Sequence, residues 1–127
     1  MPPAIITQKT TTDSYGYTTV SHYLGDDLHN DGPAVIKYDK KGTKFCETYY
    51  QFGKKRTHQY GPSTITYYLS GQIDTEQYID ENNRIHHESG PAYRWFDLNG
   101  KCSKAQYYSH GKCLELASID DVFPFSG

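Results

Sequence analysis

The sequence predicts an all-β chain: one antiparallel meander of tandem β-hairpin repeats, drawn out or curled as a single sheet. Three observations predict it. The phrase "HNDGPAVIKY" at 29–38 returns as "HQYGPSTITY" at 58–67 and "HESGPAYRWF" at 87–96, a period of 29 residues. Thirteen Tyr, five Phe and one Trp make the chain 15% aromatic, a composition that suits a pleated, half-buried surface. Eleven Gly and six Pro supply turns, and no stretch holds a sustained helical period between caps.

Several columns keep the period. His29, His58 and His87 open it, followed by Gly32, Gly61 and Gly90 and by Pro33, Pro62 and Pro91. Tyr38, Tyr67 and Phe96 stay in phase, as do Gly42, Gly71 and Gly100, and Tyr49, Tyr78 and Tyr107. Gly53 and Gly111 bracket Asn82 in a further column, and Asn tolerates the positive φ that glycine adopts freely. The 127 residues divide into a degenerate first copy (3–28), repeats 29–57, 58–86 and 87–116, and a C-terminal cap at 117–127.

In each full copy the Gly-Pro pair opens a first strand, where the missing proline N–H costs no ladder bond. "DKKG", "LSG" and "LNG" then make a hairpin turn with glycine at its strained position. A second strand runs into Tyr49-Tyr50, Tyr78-Ile79 or Tyr107-Tyr108, and "FGKK", "ENNR" and "HGK" turn the chain again. The first copy carries a trace of the same order, since Pro3-Ala4-Ile5-Ile6 mirrors Pro33-Ala34-Val35-Ile36. Two strands per copy give about eight or nine in all.

Length and charge narrow the function. One domain of this size buries roughly two thirds of its unfolded surface, so it needs neither metal nor disulfide to fold. A net charge of −2 and a pI near 6.3 leave no basic excess for nucleic acid. No apolar run is long enough for an export signal or a membrane span. Cys46, Cys102 and Cys113 are odd in number and lack Cys-x-x-Cys spacing, which reads as reduced thiols in a cytoplasm.

At the repeated phrase the chain resembles the MORN-repeat variant family, whose units join a histidine, a short acidic spacer, Gly-Pro-Ala, a strand, a Tyr-rich strand and a glycine turn. The phrase stands at His29–Ala34, departs at Gln59, Tyr60 and Ser63, and returns at His87–Ala92. The resemblance spans residues 29–116. It implies a hairpin-repeat fold and a non-enzymatic interaction module, of the kind described as antitoxin or immunity components and encoded by phages and large DNA viruses.

The histidines invite a metal site, but strand spacing argues against one. Equivalent positions two strands apart in a meander are ~10 Å apart, whereas ligand nitrogens lie ~2.0–2.1 Å from one zinc. His29, His58 and His87 therefore read as seams, each imidazole bonding backbone at the turn before Gly-Pro and holding the next copy in register. No metal and no cofactor are expected. Neither a Gly-x-Ser-x-Gly elbow nor a His-Glu-x-x-His pair occurs, so no catalytic residue is expected either.

Departures from the repeat point to a binding surface. Val35, Thr64 and Tyr93, with Lys37, Thr66 and Trp95, alternate with the core column Ala34-Ile36-Tyr38 and should face outward. In the third copy these positions become Tyr93 and Trp95 around Arg94, the three residue types most enriched at interface hot spots. Tyr93, Arg94 and Trp95 are thus the expected protein-binding residues. Two features compete with that reading: Arg94 falls in the inward column, and the apolar tail (Ile119, Val122, Phe123, Phe125) is placed to cap Trp95.

The expected function is an inhibitor or immunity-type protein that sterically blocks a host or rival enzyme. Carbohydrate or cell-wall binding through the aromatic strings is one rival reading. Membrane-surface attachment through Lys40, Lys41, Lys44, Lys54, Lys55 and Arg56 is another, although a dispersed set of this kind suits a solvated face better than a lipid site. Open sheet edges would also invite strand addition or a homodimer.

Overall fold

The structure is a computed structural model that describes residues 5–117. Its strands are β1 (Ile6–Thr12), β2 (Thr18–Leu24), β3 (Asp27–Leu28), β4 (Val35–Tyr38), β5 (Lys44–Thr48) and β6 (Tyr50–Gln51). They continue with β7 (Lys54–Lys55), β8 (Thr64–Tyr67), β9 (Ile73–Gln77), β10 (Tyr93–Phe96), β11 (Cys102–Ser109) and β12 (Lys112–Ala117). One large sheet runs β1-β2-β4-β5-β8-β9-β10-β11-β12, with β3 beside β2, and β6-β7 forms a small separate ribbon. Every pairing is antiparallel. The expected all-β hairpin meander is what forms, not closed into a barrel. Among the described residues no helix is long and apolar enough to cross a membrane.

The period is visible in backbone detail. The pairing register slips by one residue after Lys37, Thr66 and Trp95, so a bulge precedes each member of the Tyr38–Tyr67–Phe96 column. Asp39 and Asp97 each begin a hairpin turn by accepting two N–H groups on Oδ1, from Lys41 and Thr43 and from Asn99 and Lys101, at 2.9–3.0 Å. Gly42 and Gly100 close those turns at φ +85° and +82°. Side-chain capture of local N–H groups is what makes Asp a turn residue. Tyr68 replaces the aspartate in the second copy, and there the two backbone bonds of the turn, Gly71 N–H to Tyr68 O and Tyr68 N–H to Gln72 O, remain without the side-chain pair.

Three expected boundaries are corrected. β5 and β9 end at Thr48 and Gln77, so the chain leaves the strand before Tyr49-Tyr50 and Tyr78-Ile79, whereas β11 runs on through Tyr107 and Tyr108. In the second copy Asn83, not Asn82, takes the positive φ, at 63°. The cause is Asp80, whose Oδ1 accepts the N–H groups of Asn82 and Arg84 at 2.8 and 3.0 Å and places the left-handed residue three positions later. In the first copy the turn opened by Asp13 stands 26 residues before that of Asp39, not 29, because the connection from β2 to β4 (25–34) is shorter than that from β5 to β8 (49–63), which outweighs the longer β2. Pro3 and Ala4 lie outside the described residues.

Strand alternation separates two faces. The inner face carries Ala34, Ser63 and Ala92, all at 0% exposure, with Ile65, Glu47 and Ala105 also buried. Glu47 is held there by the Tyr67 hydroxyl and by Lys44 Nζ. Residues 49–62 and 78–91, the long second connections, each carry a tyrosine ring under a stacked guanidinium, from within the connection at Arg56 and from β10 at Arg94. The Arg56 guanidinium lies 3.7 Å from the Tyr49 ring, and that of Arg94 lies 4.9 Å from the Tyr78 ring. Tyr49 and Tyr78 are one period apart, so one slot is filled twice by arginines from unrelated positions. At the far end of the sheet all seven β1 residues are exposed, and Lys9 at its centre is the kind of charge that guards an open edge.

These arginines explain the glycine of Gly-Pro. A Cβ on Gly61 would meet Arg56 Nη2 at 2.8 Å, and one on Gly90 would meet Arg94 Nη2 at 3.3 Å, whereas a Cβ on Gly32 would meet nothing within 4 Å. Gly61 also holds φ +132°. Replacing Gly61 with Ala is expected to lower unfolding stability by about 1–3 kcal/mol, with a clearly smaller loss for Gly32→Ala. Urea midpoints of the two variants check this, and equal losses would remove the arginine slot as the reason.

Candidate functional site

Two surfaces stand apart from the repeat. The first is the outer face of the third hairpin. In the β9-β10-β11 register, Tyr93 pairs with Gln77 and Gln106 and Trp95 pairs with Thr75 and Lys104, so all six share one face. The Tyr93 and Trp95 rings stack with centroids 4.3 Å apart and planes 26° apart. Lys104 Nζ sits 4.8 Å from the Trp95 ring, a favourable cation–π placement. The row continues across Thr64, Thr66, Thr48, Cys46, Val35 and Lys37, none of them buried.

Arg94 does not belong to this surface. It pairs with Glu76 and Ala105 in the inner row, lies over Tyr78, and its Nε is buried without a hydrogen-bond partner. No register change turns it outward; the bulge falls after Trp95. The expected trio is therefore a pair, since period-two alternation sends Arg94 to the opposite face from its neighbours. The tail expected to cap Trp95 lies outside the described residues.

The second surface is a cleft of about 220 Å³ between the connections at 57–59 and 80–88 and the turn at His110. Here the expected histidine spacing fails. The rings of His58 and His87, equivalent positions, have centroids 5.3 Å apart, and those of His58 and His86 are 4.8 Å apart. His110 stacks on His86 at 3.9 Å. The reason is that these histidines sit in connections rather than strands, where the strand ladder does not set side-chain distances.

Their bonds also differ from copy to copy. His29 Nδ1 accepts the N–H of Phe52, at the tip of the next turn, at 3.0 Å. His86, one residue before the repeat histidine His87, takes that part toward the next turn, accepting the His110 N–H at 3.0 Å. His87 accepts the Ser89 and Gly90 N–H groups of its own turn, just before Gly-Pro. Of the three histidines expected as seams, His87 bonds backbone in its own turn before Gly-Pro and His29 bonds it in the following turn; His86, not one of the three, bonds the following turn as His29 does. Among the described residues nothing hydrogen-bonds the His58 ring.

Asp80 anchors the cleft. Its Oδ2 lies 3.0 Å from Arg84 Nε and 2.8 Å from His110 Nδ1. Burial alone would raise its pKa, but the bond from His110 and the N–H groups of Arg84 and Asn82 outweigh it and hold the carboxyl well below the usual range. His86 is pushed below the ordinary imidazole value by burial and then by His110 and His58. His87 is lowered by burial and then by Arg94, His58 and His86.

Sequence reasoning passed over Asp80, His86, Glu88 and His110. The available signal was departure from the repeat: Asp80 stands where the preceding copy has Gln51, and His110 two periods after Phe52. No family model matches the chain, and no curated protein or solved structure was found to match it.

The two lowered histidines give a signed pH dependence. Their folded values lie below the unfolded one, so the unfolded chain binds protons first on acidification. The stability they contribute is complete above about pH 6.5 and is lost as pH falls from there through the folded values. Asp80, whose folded value is also lowered, adds to the loss, but only below about pH 4. With Glu88 and Asp80 as the opposing charges and Arg94, His58 and His110 as the reinforcing ones, metal-free protein should show a lower urea midpoint at about pH 5.5 than at about pH 7.5. His87→Gln should flatten the trend. A midpoint that rises on acidification would refute it.

Proposed function

We propose that this chain is a non-enzymatic protein-binding repeat module that acts as a steric blocker, of the inhibitor or immunity type, against an enzyme partner. The observation that carries the reading is the stacked Tyr93–Trp95 pair beside Lys104 on the outer face, a face no other described element covers. Thr64 and Thr66 served these positions one copy earlier, so the strand did not need aromatic residues there. Large aromatic groups on a flat, hydrogen-bonded scaffold bury area on binding while little has to be ordered. Their types are those that dominate binding hot spots. The resemblance to MORN-repeat variants, which include antitoxin and phage-encoded members, points the same way and suggests a host or rival enzyme as the partner.

The contact would be an aromatic centre ringed by hydroxyl and amide groups, with Lys104 favouring an acidic rim on the partner. Arg94 has no part in it. The double variant Tyr93→Ala/Trp95→Ala is expected to abolish partner capture from the native host while moving the thermal midpoint by no more than about 2–4 °C. Affinity purification with mass spectrometry reads the first effect and a thermal scan the second. Joint loss of capture and folding would make the pair core instead. Retention of a glycan on an array, lost in the double variant and with no protein captured, would assign the same patch to carbohydrate.

A further inference from the structure

We propose that His58, His86 and Glu88 form a binding site for one divalent transition-metal ion of the zinc class. Each offers one ligand atom, and the three atoms lie within 4.8 Å of one another. They come from two successive Gly-Pro connections, His58 from 57–62 and His86 with Glu88 from 86–91, so one ion would tie two copies together. The proposal is independent of the outer aromatic face, which lies on the strands.

Three features separate this cluster from an ordinary group of surface side chains. His58 is the repeat histidine whose ring makes no hydrogen bond among the described residues, whereas the rings of His29 and His87 both use Nδ1. Burial raises the affinity of any ligand pair for a cation by removing competing water, and His86 is 5% exposed. The cleft also holds Asp80 and Glu81 beside Glu88 against the single cation Arg84, which favours a positive guest. Asp80 is already engaged by Arg84 and His110 and would act as a neighbouring charge rather than a ligand. Two imidazoles and one carboxylate suit zinc and its neighbours in preference to magnesium or calcium, which take all-oxygen sets.

Closing the site requires a small movement. Ligand atoms around a tetrahedral ion with ~2.0–2.1 Å bonds are about 3.4 Å apart, so the cluster must contract by side-chain rotation. Glu88 is exposed and the His58 ring is unbonded, so both are free to turn; a water would take the fourth position. His86 is the constrained member. Its Nδ1 accepts the His110 N–H, which puts the ring hydrogen on Nε2 in the neutral form. Ligation through Nε2 transfers that hydrogen to Nδ1 and breaks the bond to His110 N–H. A typical hydrogen bond contributes far less than a zinc–ligand set, and His110 stands in an exposed turn at φ +46° that can give way.

The movement supplies a signature of its own. Titrating the full chain, stripped with chelator, with zinc chloride should show one ion bound per chain by calorimetry, together with a raised thermal midpoint. In amide NMR the His110 N–H should shift and exchange faster with solvent as zinc is added. His58→Ala and Glu88→Gln remove groups that make no hydrogen bond in the metal-free protein, so both should fold as before. Each should weaken zinc binding at least tenfold, while the distant control His22→Gln should not. Zinc affinity unchanged in both variants would overturn the site. So would the absence of stoichiometric binding, or binding that leaves the His110 amide unmoved.

Discussion

A single sheet can bury only one face, and everything else in this protein follows from how it buries that one. Among the described residues there is no helix to cover the inner side, and the second connection of each copy does it. That requires very small side chains beneath the turn, which is why Ala34, Ser63 and Ala92 show no exposure. Arg94 of β10, stacked on Tyr78, joins one connection to the sheet, whereas Arg56, stacked on Tyr49 and bonded to Pro62 O, braces the other within itself. In both, the Gly-Pro glycine leaves room for the cation. A thin core of this kind stabilises mainly through strand pairing, so register is the quantity most strongly held.

The repeated histidine extends the same logic outward. His29 reaches the tip of the next turn at Phe52, and His86 does the same for the turn at His110. Each bond passes register from one copy to its neighbour by satisfying an N–H at a left-handed residue, where the strand ladder offers no partner. The second copy breaks the chain of bonds. Its turn is rebuilt around Asp80, its tip moves to Asn83, and His58 loses the group it would have met. That ring lies instead against His86 and His87. A defect in the periodic structure is therefore what brings chemically capable side chains together in this cleft.

The two unusual surfaces arise by different routes. The outer pair, Tyr93 and Trp95, is a change of side chain on an unchanged backbone, since β10 keeps the pairing and the bulge of β4 and β8. The histidine cleft is a change of backbone, set by a turn one residue out of step. The first kind alters what a partner would touch without altering the fold. The second alters the relation between copies, and it couples the cleft to His110 and hence to the last hairpin.

Much of this could be read from residues alone. The 29-residue period, the glycine turns and the alternation of Ala34-Ile36-Tyr38 with Val35 and Lys37 prescribe hairpins, their order and their buried face, because those properties depend on neighbours along the strand. The outward direction of Tyr93 and Trp95 was equally legible, and so was the inward place of Arg94, from the same alternation. What only the tertiary structure decided lies in the connections. There, side-chain positions depend on φ at one turn residue and on which N–H remains unpaired, and neither has a period. Strand spacing kept the histidines ~10 Å apart on paper; leaving the strands brought two of them within 5.3 Å.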